Sequence, residues 1–317
     1  MSPSSKPFVT IAAAYDGTVV EFTPSVATSA GGGIPAAGAN QTIMINLDAG
    51  DTASINPVDP NQALTGTTIE TDDDHPIAVF SGHTCANIPD NVCCCDHLEE
   101  QLSGLRQWGQ NFVAAHVPVR EPNDPETTLW QVYASEDNTT IDFDYDNALT
   151  GLPGPSIVLD RGEVETMFVT APVNTEADFG IEADKPIAVM GYMTGSFNLS
   201  NQAQTGDPAM IQFQAVEQFL HRYVVLVPGT WINDAFMLTR EAGATIEIDG
   251  VAVDDFAFSP VGNGDWEVAR IEIPDGVHVL DGGEDPFGVV IVGYDNWDSY
   301  AYLGGTGTGT INPNPPG

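Results

Sequence analysis

Asp74-His-Pro-Ile-Ala-Val-Phe80 decides how the chain is organised, because it occurs three times. It returns as Asp184-Lys-Pro-Ile-Ala-Val-Met190 and, more loosely, as Glu284-Asp-Pro-Phe-Gly-Val-Val290. Each copy is an acidic turn, a proline and then a short apolar run, which reads as the closing strand of a unit. The prolines at 76, 186 and 286 give a period of about 100–110 residues.

Working upstream from each copy, the same layout recurs. Phe8-Val-Thr-Ile-Ala-Ala-Ala-Tyr15 turns at Asp16-Gly17 into Thr18-Val-Val-Glu-Phe22, a hairpin signal. Trp130-Gln-Val-Tyr-Ala-Ser135 turns at Asp137-Asn138 into Thr139-Thr-Ile-Asp-Phe143. Phe236-Met-Leu-Thr-Arg240 turns at Ala242-Gly243 into Ala244-Thr-Ile-Glu-Ile-Asp-Gly250. A connector repeats too: Glu100-Gln101 leads to Phe112, and Glu217-Gln218 leads to Tyr223. The first unit has no such connector before it. Its opening strand is therefore missing or supplied from elsewhere, leaving an exposed sheet edge.

Helical periodicity is nearly absent, and short β-branched and aromatic runs are punctuated by Gly, Pro, Asn and Asp, so the fold class is all-β. The divisions read as an N-terminal tail 1–7, repeats 8–99, 100–216 and 217–304, and a Gly/Thr/Pro tail 305–317 of linker composition. Each repeat offers more strands than the four of one propeller blade. With no flexible linker between repeats, a propeller-like single body is expected, with packed β-sandwiches as the alternative.

The chain carries 8 Lys+Arg against 45 Asp+Glu, a formal net charge of −37. That charge repels phosphate backbones and anionic bilayers, which argues against nucleic-acid binding. With 42% hydrophobic residues, a folded core is favoured over acidic disorder. The acids then belong on the surface, which suits a saline medium. No apolar window is long enough to span a bilayer, so no membrane insertion is expected. The first residues lack a secretory-signal layout, and both ends read as cuts from something longer.

Just beyond the first closing strand lies Ser81-Gly-His-Thr-Cys-Ala-Asn-Ile-Pro-Asp-Asn-Val-Cys-Cys-Cys-Asp-His-Leu-Glu-Glu-Gln101, which holds Cys85, Cys93, Cys94 and Cys95, all four cysteines of the chain. This stretch resembles the N-terminal domain of IgG Fc-binding proteins, found in animal mucus proteins and in bacterial surface proteins, and the chain looks like a bacterial surface-protein member. The resemblance implies an extracellular or cell-surface, non-enzymatic domain that binds a protein or glycan ligand. It implies no cofactor, and it implies a disulfide between Cys85 and Cys95. Cys93 and Cys94 depart from the family pattern and could bridge to each other, link to another chain or re-pair with Cys85. A metal reading competes, since His83 and His97 flank the cysteines, but three consecutive cysteines suit tetrahedral zinc poorly.

Other chemistry is weaker. Asp142, Asp144 and Asp146 alternate along one strand and invite calcium, but lack the glycine and bidentate glutamate of a helix–loop–helix site. Ser81-Gly-His83 has no nucleophile-elbow context. Gly206-Asp-Pro-Ala209 reads as a turn. Trp108, Trp130, Trp231, Trp266 and Trp297 could stack sugars, though most read as core. The expectations are then ordered: a binding or adhesion domain first, a self-associating subunit of a surface filament or sheath joined by strand exchange second, and a glycan-binding module or glycan-active enzyme last.

Overall fold

Alternating burial along the short β-branched runs turns them into strands whose inner faces meet across two layers. In the computed structural model, which describes residues 5–173, 175–199, 204–313 and 315, the chain is built from strands, turns and short 3-10 turns. No helix among the described residues is long and apolar enough to cross a membrane.

The first unit contains β1 (Pro7–Ala13), β2 (Thr18–Thr23), β3 (Ile43–Leu47), β4 (Thr52–Ile55), β5 (Thr68–Glu70), β6 (Ile77–Ala86) and β7 (Asp96–Gln101). They form two sheets, β4-β1-β6-β7 and β3-β2-β5. Val9, Ile11 and Ala13 of one layer meet Val20, Phe22, Ile43 and Ile45 of the other in a single core. Fully burying side chains of this size is worth about 1.5–3 kcal/mol each.

The second unit contains β8 (Gly109–Ala114), β9 (Thr127–Ala134), β10 (Thr139–Asp144), β11 (Ser156–Leu159), β12 (Val164–Thr170), β13 (Phe179–Met193) and β14 (Met210–Phe213). One long strand serves both layers. The first part of β13 pairs with β10 and β8, and its last part with β9 and β14. The β8 register shifts between Glu182 and Ile187, beside Pro186, so the seven-stranded sheet curls over its own core. Trp130 fills that core, wholly buried between Phe179 and Phe213 with ring centroids 5.5 and 5.0 Å away.

The third unit contains β15 (Arg222–Val227), β16 (Asn233–Glu241), β17 (Glu247–Ile248), β18 (Val251–Ala252), β19 (Phe258–Val261), β20 (Trp266–Glu272), β21 (Gly276–Asp281), β22 (Gly288–Asp295) and β23 (Asp298–Leu303). Its sheets are β15-β21-β17-β18 and β19-β20-β16-β22-β23.

The all-β class holds, and the arrangement is the packed-sandwich alternative rather than a propeller. The hairpin reading is what changes. β1 is flanked on both edges by β4 and β6, so no edge is left for β2, and the turn at Asp16-Gly17 carries the chain into the facing layer. Gly17 takes φ 74° and Thr18 closes the arch by donating to the Tyr15 carbonyl at 2.7 Å. The turns at Asp137-Asn138 and Ala242-Gly243 are likewise arches between layers, since β9 and β10, and β16 and β17, lie in different strand pairings. Units split between two layers cannot be single-sheet blades.

The connector also shifts. Glu100-Gln101 ends β7, whereas Glu217-Gln218 lies in a 3-10 turn (Val216–Gln218). The structural counterpart of that turn is Leu105–Gln107, each one leading into the opening strand of a unit. Gly307 and Ile311 of the tail donate backbone hydrogen bonds to Gln218 and Arg106, so the tail of linker composition straps these two turns together.

Units two and three share an apolar seam, where Met237, Val268, Val290 and Val292 of the third unit join the core of the second. Two buried ion pairs lie in the same region. Arg120 and Glu126 meet at 2.7 Å, with side chains 0% and 2% exposed. Arg270 holds Asp178 while also donating to the His116 carbonyl. The second and third units each begin with a strand, β8 or β15, that completes the layer containing β10 or β17. Among the described residues, no strand takes that place on the outer edge of β5.

Candidate functional site

The cysteine loop hangs from the end of β6 and returns as β7, and it sits where the three units meet. Gly82 within β6 is required by close approach: a Cβ there would stand 1.9 Å from the Leu98 carbonyl oxygen of β7. That contact brings Cys85 and Cys95 together across the loop mouth, disulfide-bonded with Cα atoms 5.0 Å apart. Cys93 and Cys94 are bonded to each other as a vicinal pair. No free cysteine is left among the described residues, and so no thiolate is present to act as nucleophile or metal ligand.

His83 accepts the Cys85 backbone N–H on Nδ1 at 3.1 Å, and burial lowers its pKa below the usual imidazole value. It therefore acts as a neutral hydrogen-bond acceptor that shapes the loop. Its acceptor nitrogen is committed to the backbone, which leaves Ser81 without a base there. His97 stacks on Phe8 and contacts Glu99 at 3.2 Å.

Beside the loop three interacting carboxyls come from three units: Asp96 from the first, Asp207 from the second and Asp298, which is exposed, from the third. Asp96 is pushed up to about 6, by burial and by the Asp298 carboxyl that shares a hydrogen bond with it. Asp207 is also pushed up to about 6, chiefly by burial. Gly195 abuts this group, and a Cβ there would stand 3.2 Å from the Asp207 carboxylate and 3.4 Å from the Cys93 carbonyl. Backbone bonds tie the pieces together: Gly195 N–H donates to the Ile88 carbonyl at 2.8 Å, and Asp207 N–H to the Ser299 hydroxyl at 2.8 Å. Gly206-Asp-Pro-Ala209 is thus no local turn. Thr205 bridges to Asn296 in the third unit, and Asp207 is buried at 2% exposure.

The alternating acids Asp142, Asp144 and Asp146 do not converge. Asp142 and Asp144 point outward from β10 while Phe143 points into the core. Asp144 instead accepts the Asn263 N–H from the third unit at 2.7 Å, and Asp146 accepts the Ala148 N–H at 2.8 Å. Among the described residues no group of three or more His, Cys, Asp or Glu side chains could hold a metal ion. The tryptophans divide between locations: Trp130 is core, Trp231 and Trp266 pack edge-on against Tyr300 and Phe219, and Trp297 is largely exposed.

Sequence reasoning missed the buried cations. Arg120 donates to Glu126 and to the Thr194 carbonyl, and its guanidinium lies 5.8 Å from the Tyr294 ring centroid. The available signal was scarcity, since the chain has only 8 basic residues and yet buries Arg120, Arg240 and Arg270 in ion pairs. The arrangement offers closed disulfides, carboxyls whose pKa values are raised chiefly by burial, and buried paired cations.

A family model described as IgGFc binding protein matches residues 1–293. No curated protein matches the chain, and no solved structure does.

Proposed function

The chain belongs to the IgGFc binding protein family, and from that premise we propose that it is a non-enzymatic binding and adhesion domain of a secreted or cell-surface protein, in a bacterial surface-protein member of the family. The observation that carries this reading is the cysteine loop. Its four sulfurs are bonded in pairs, as suits an oxidising, extracellular setting, and it touches the second unit through the Gly195 hydrogen bond to Ile88 and the third through the contact of Asp96 with Asp298. The acidic surface selects against anionic partners and favours a protein or glycan ligand with a neutral or basic face.

The test is a biosensor panel in which the immobilised chain meets IgG Fc, matrix proteins and a mucin before and after enzymatic deglycosylation. Saturable binding to a protein that survives deglycosylation is expected. Binding that vanishes with the glycans transfers the reading to a glycan-binding module, and chemical conversion of the glycan would overturn it in favour of an enzyme.

A second reading, a structural subunit of a surface filament or sheath assembled by strand exchange, is favoured by one observation: among the described residues no strand pairs with the outer edge of β5. Light scattering that grows with chain concentration supports it, and a strictly monomeric chain at high concentration removes it.

A further inference from the structure

The three units can be aligned with one another through the registers of their ladders. Phe22 pairs with Ile69, Phe143 with Ile181, and Ile248 with Leu280. Ile69, Ile181 and Leu280 therefore hold one structural position. In the second unit Phe112 of β8 lies across from Ile181, and in the third Tyr223 of β15 lies across from Leu280. In the first unit no described strand faces Ile69 on that edge.

Burial follows the same division. Ile181 and Leu280 are 3% and 0% exposed, whereas Ile69 is half-buried. The repeated closing strand behaves alike: Ile187, Val189, Phe287 and Val289 are at most 1% exposed, while their counterparts Ile77 and Val79 are half-buried. All three half-buried side chains touch the first core, and among the described residues no strand lies on the edge of β5 where the others carry an aromatic-bearing strand. The neighbouring turn does not fill the gap. Gly162 and Arg161 approach Gly66 and Glu70, and the corresponding turn of the third unit approaches Asp144 of the second while β8 remains in place.

We propose that the outer edge of β5 is an acceptor for an extended partner strand of the β8 and β15 type. The strand runs antiparallel to β5, sets an aromatic side chain across from Ile69 and a small or branched apolar residue two positions further on, and carries no carboxylate. The last requirement comes from charge. Glu70, Asp72, Asp73 and Asp74 follow along the acceptor and its turn, and neither β8 nor β15 contains an acid. Main-chain hydrogen bonds supply attachment, and burial of the aromatic side chain against half-buried Ile69 supplies selectivity.

This deepens the strand-exchange reading, and the experiment separates the two. A peptide of the sequence from His221 to Pro228 is titrated into the intact chain, followed by calorimetry and by amide exchange at Thr68, Ile69 and Glu70. Saturable 1:1 binding is expected, with exchange at these amides slowed at least tenfold. The same peptide with its tyrosine replaced by Asp is expected to bind at least tenfold more weakly. A second arm fuses this strand ahead of Ser5 through a linker as long as residues 115–126, so that weak affinity cannot mask the contact. The fused chain is expected to protect the same amides, and the fusion with Asp for tyrosine is not. If neither arm slows exchange, or if the Asp versions do so equally, the acceptor is overturned. A chain that takes up the peptide yet never polymerises keeps the acceptor and loses the filament.

Discussion

Arg270, on β20 of the third unit, holds the Asp178 carboxylate of the second at 2.5 Å, and both side chains are nearly buried, at 11% and 5% exposure. The same carboxylate oxygen accepts the His116 N–H at 2.7 Å, and Arg270 also donates to the His116 carbonyl. At this point of the seam one cation is thus shared between a carboxylate and a backbone oxygen.

Replacing Arg270 with Met strands the Asp178 charge, and a loss of about 3–5 kcal/mol in urea unfolding is expected. The double variant with Asp178→Asn recovers part of it, because the surviving amide no longer carries charge. A single-variant loss below about 1 kcal/mol would show that water enters the seam.

The two disulfides differ in the chain they close, with sequence separations of 10 and 1. Restricting the unfolded chain by the longer closure is worth about 2–4 kcal/mol. The Cys85→Ser/Cys95→Ser variant is therefore expected to melt well below the parent, and Cys93→Ser/Cys94→Ser close to it. Thermal scans giving the opposite order would contradict the entropic account.

Glu100, paired across the ladder with Ser81, has its carboxyl pushed up to about 7 by burial. It holds its proton more tightly folded than unfolded, so stability is lost as pH rises from about 4.5 to 7. Glu100→Gln is expected to match the parent at pH 4.5 and to exceed it at pH 8 by about 2–3 kcal/mol. A difference between variant and parent that stays constant with pH would disprove the burial of this charge.

Ile181 is sealed beneath Phe112, whereas its counterpart Ile69 is half-buried. Truncation of Ile181 to Ala is expected to cost about 2–5 kcal/mol, as for buried Ile. Ile69→Ala should cost less than half as much in the isolated chain. Equal losses would mean that something already covers β5.

The closing runs at Pro76, Pro186 and Pro286 were legible as continuous apolar stretches, which a central strand needs where it is buried on both faces, as in the second and third copies. Pairing was not. Asp16-Gly17 has the composition of a hairpin turn, yet what decides whether β2 pairs with β1 is the prior claim of β4 and β6 on both edges, which no local pattern carries. The cysteine stretch announced itself through four sulfurs within eleven residues, from Cys85 to Cys95. The carboxylates beside it gave no sign, because Asp96, Asp207 and Asp298 are three acids among 45 and are joined only by packing.

Repetition, strand composition, acidity and the sulfur cluster were thus settled by residue order, since each depends on neighbours along the chain. Which strands share a layer, where the scarce arginines are buried and which edge is left unpaired among the described residues depend on contacts between residues tens of positions apart, as in the pairing of Val9 with Ser81 or the ion pair of Arg270 with Asp178. Those contacts exist only once burial of the apolar faces has brought the sheets together, and among the described residues they leave the outer edge of β5 without a partner strand.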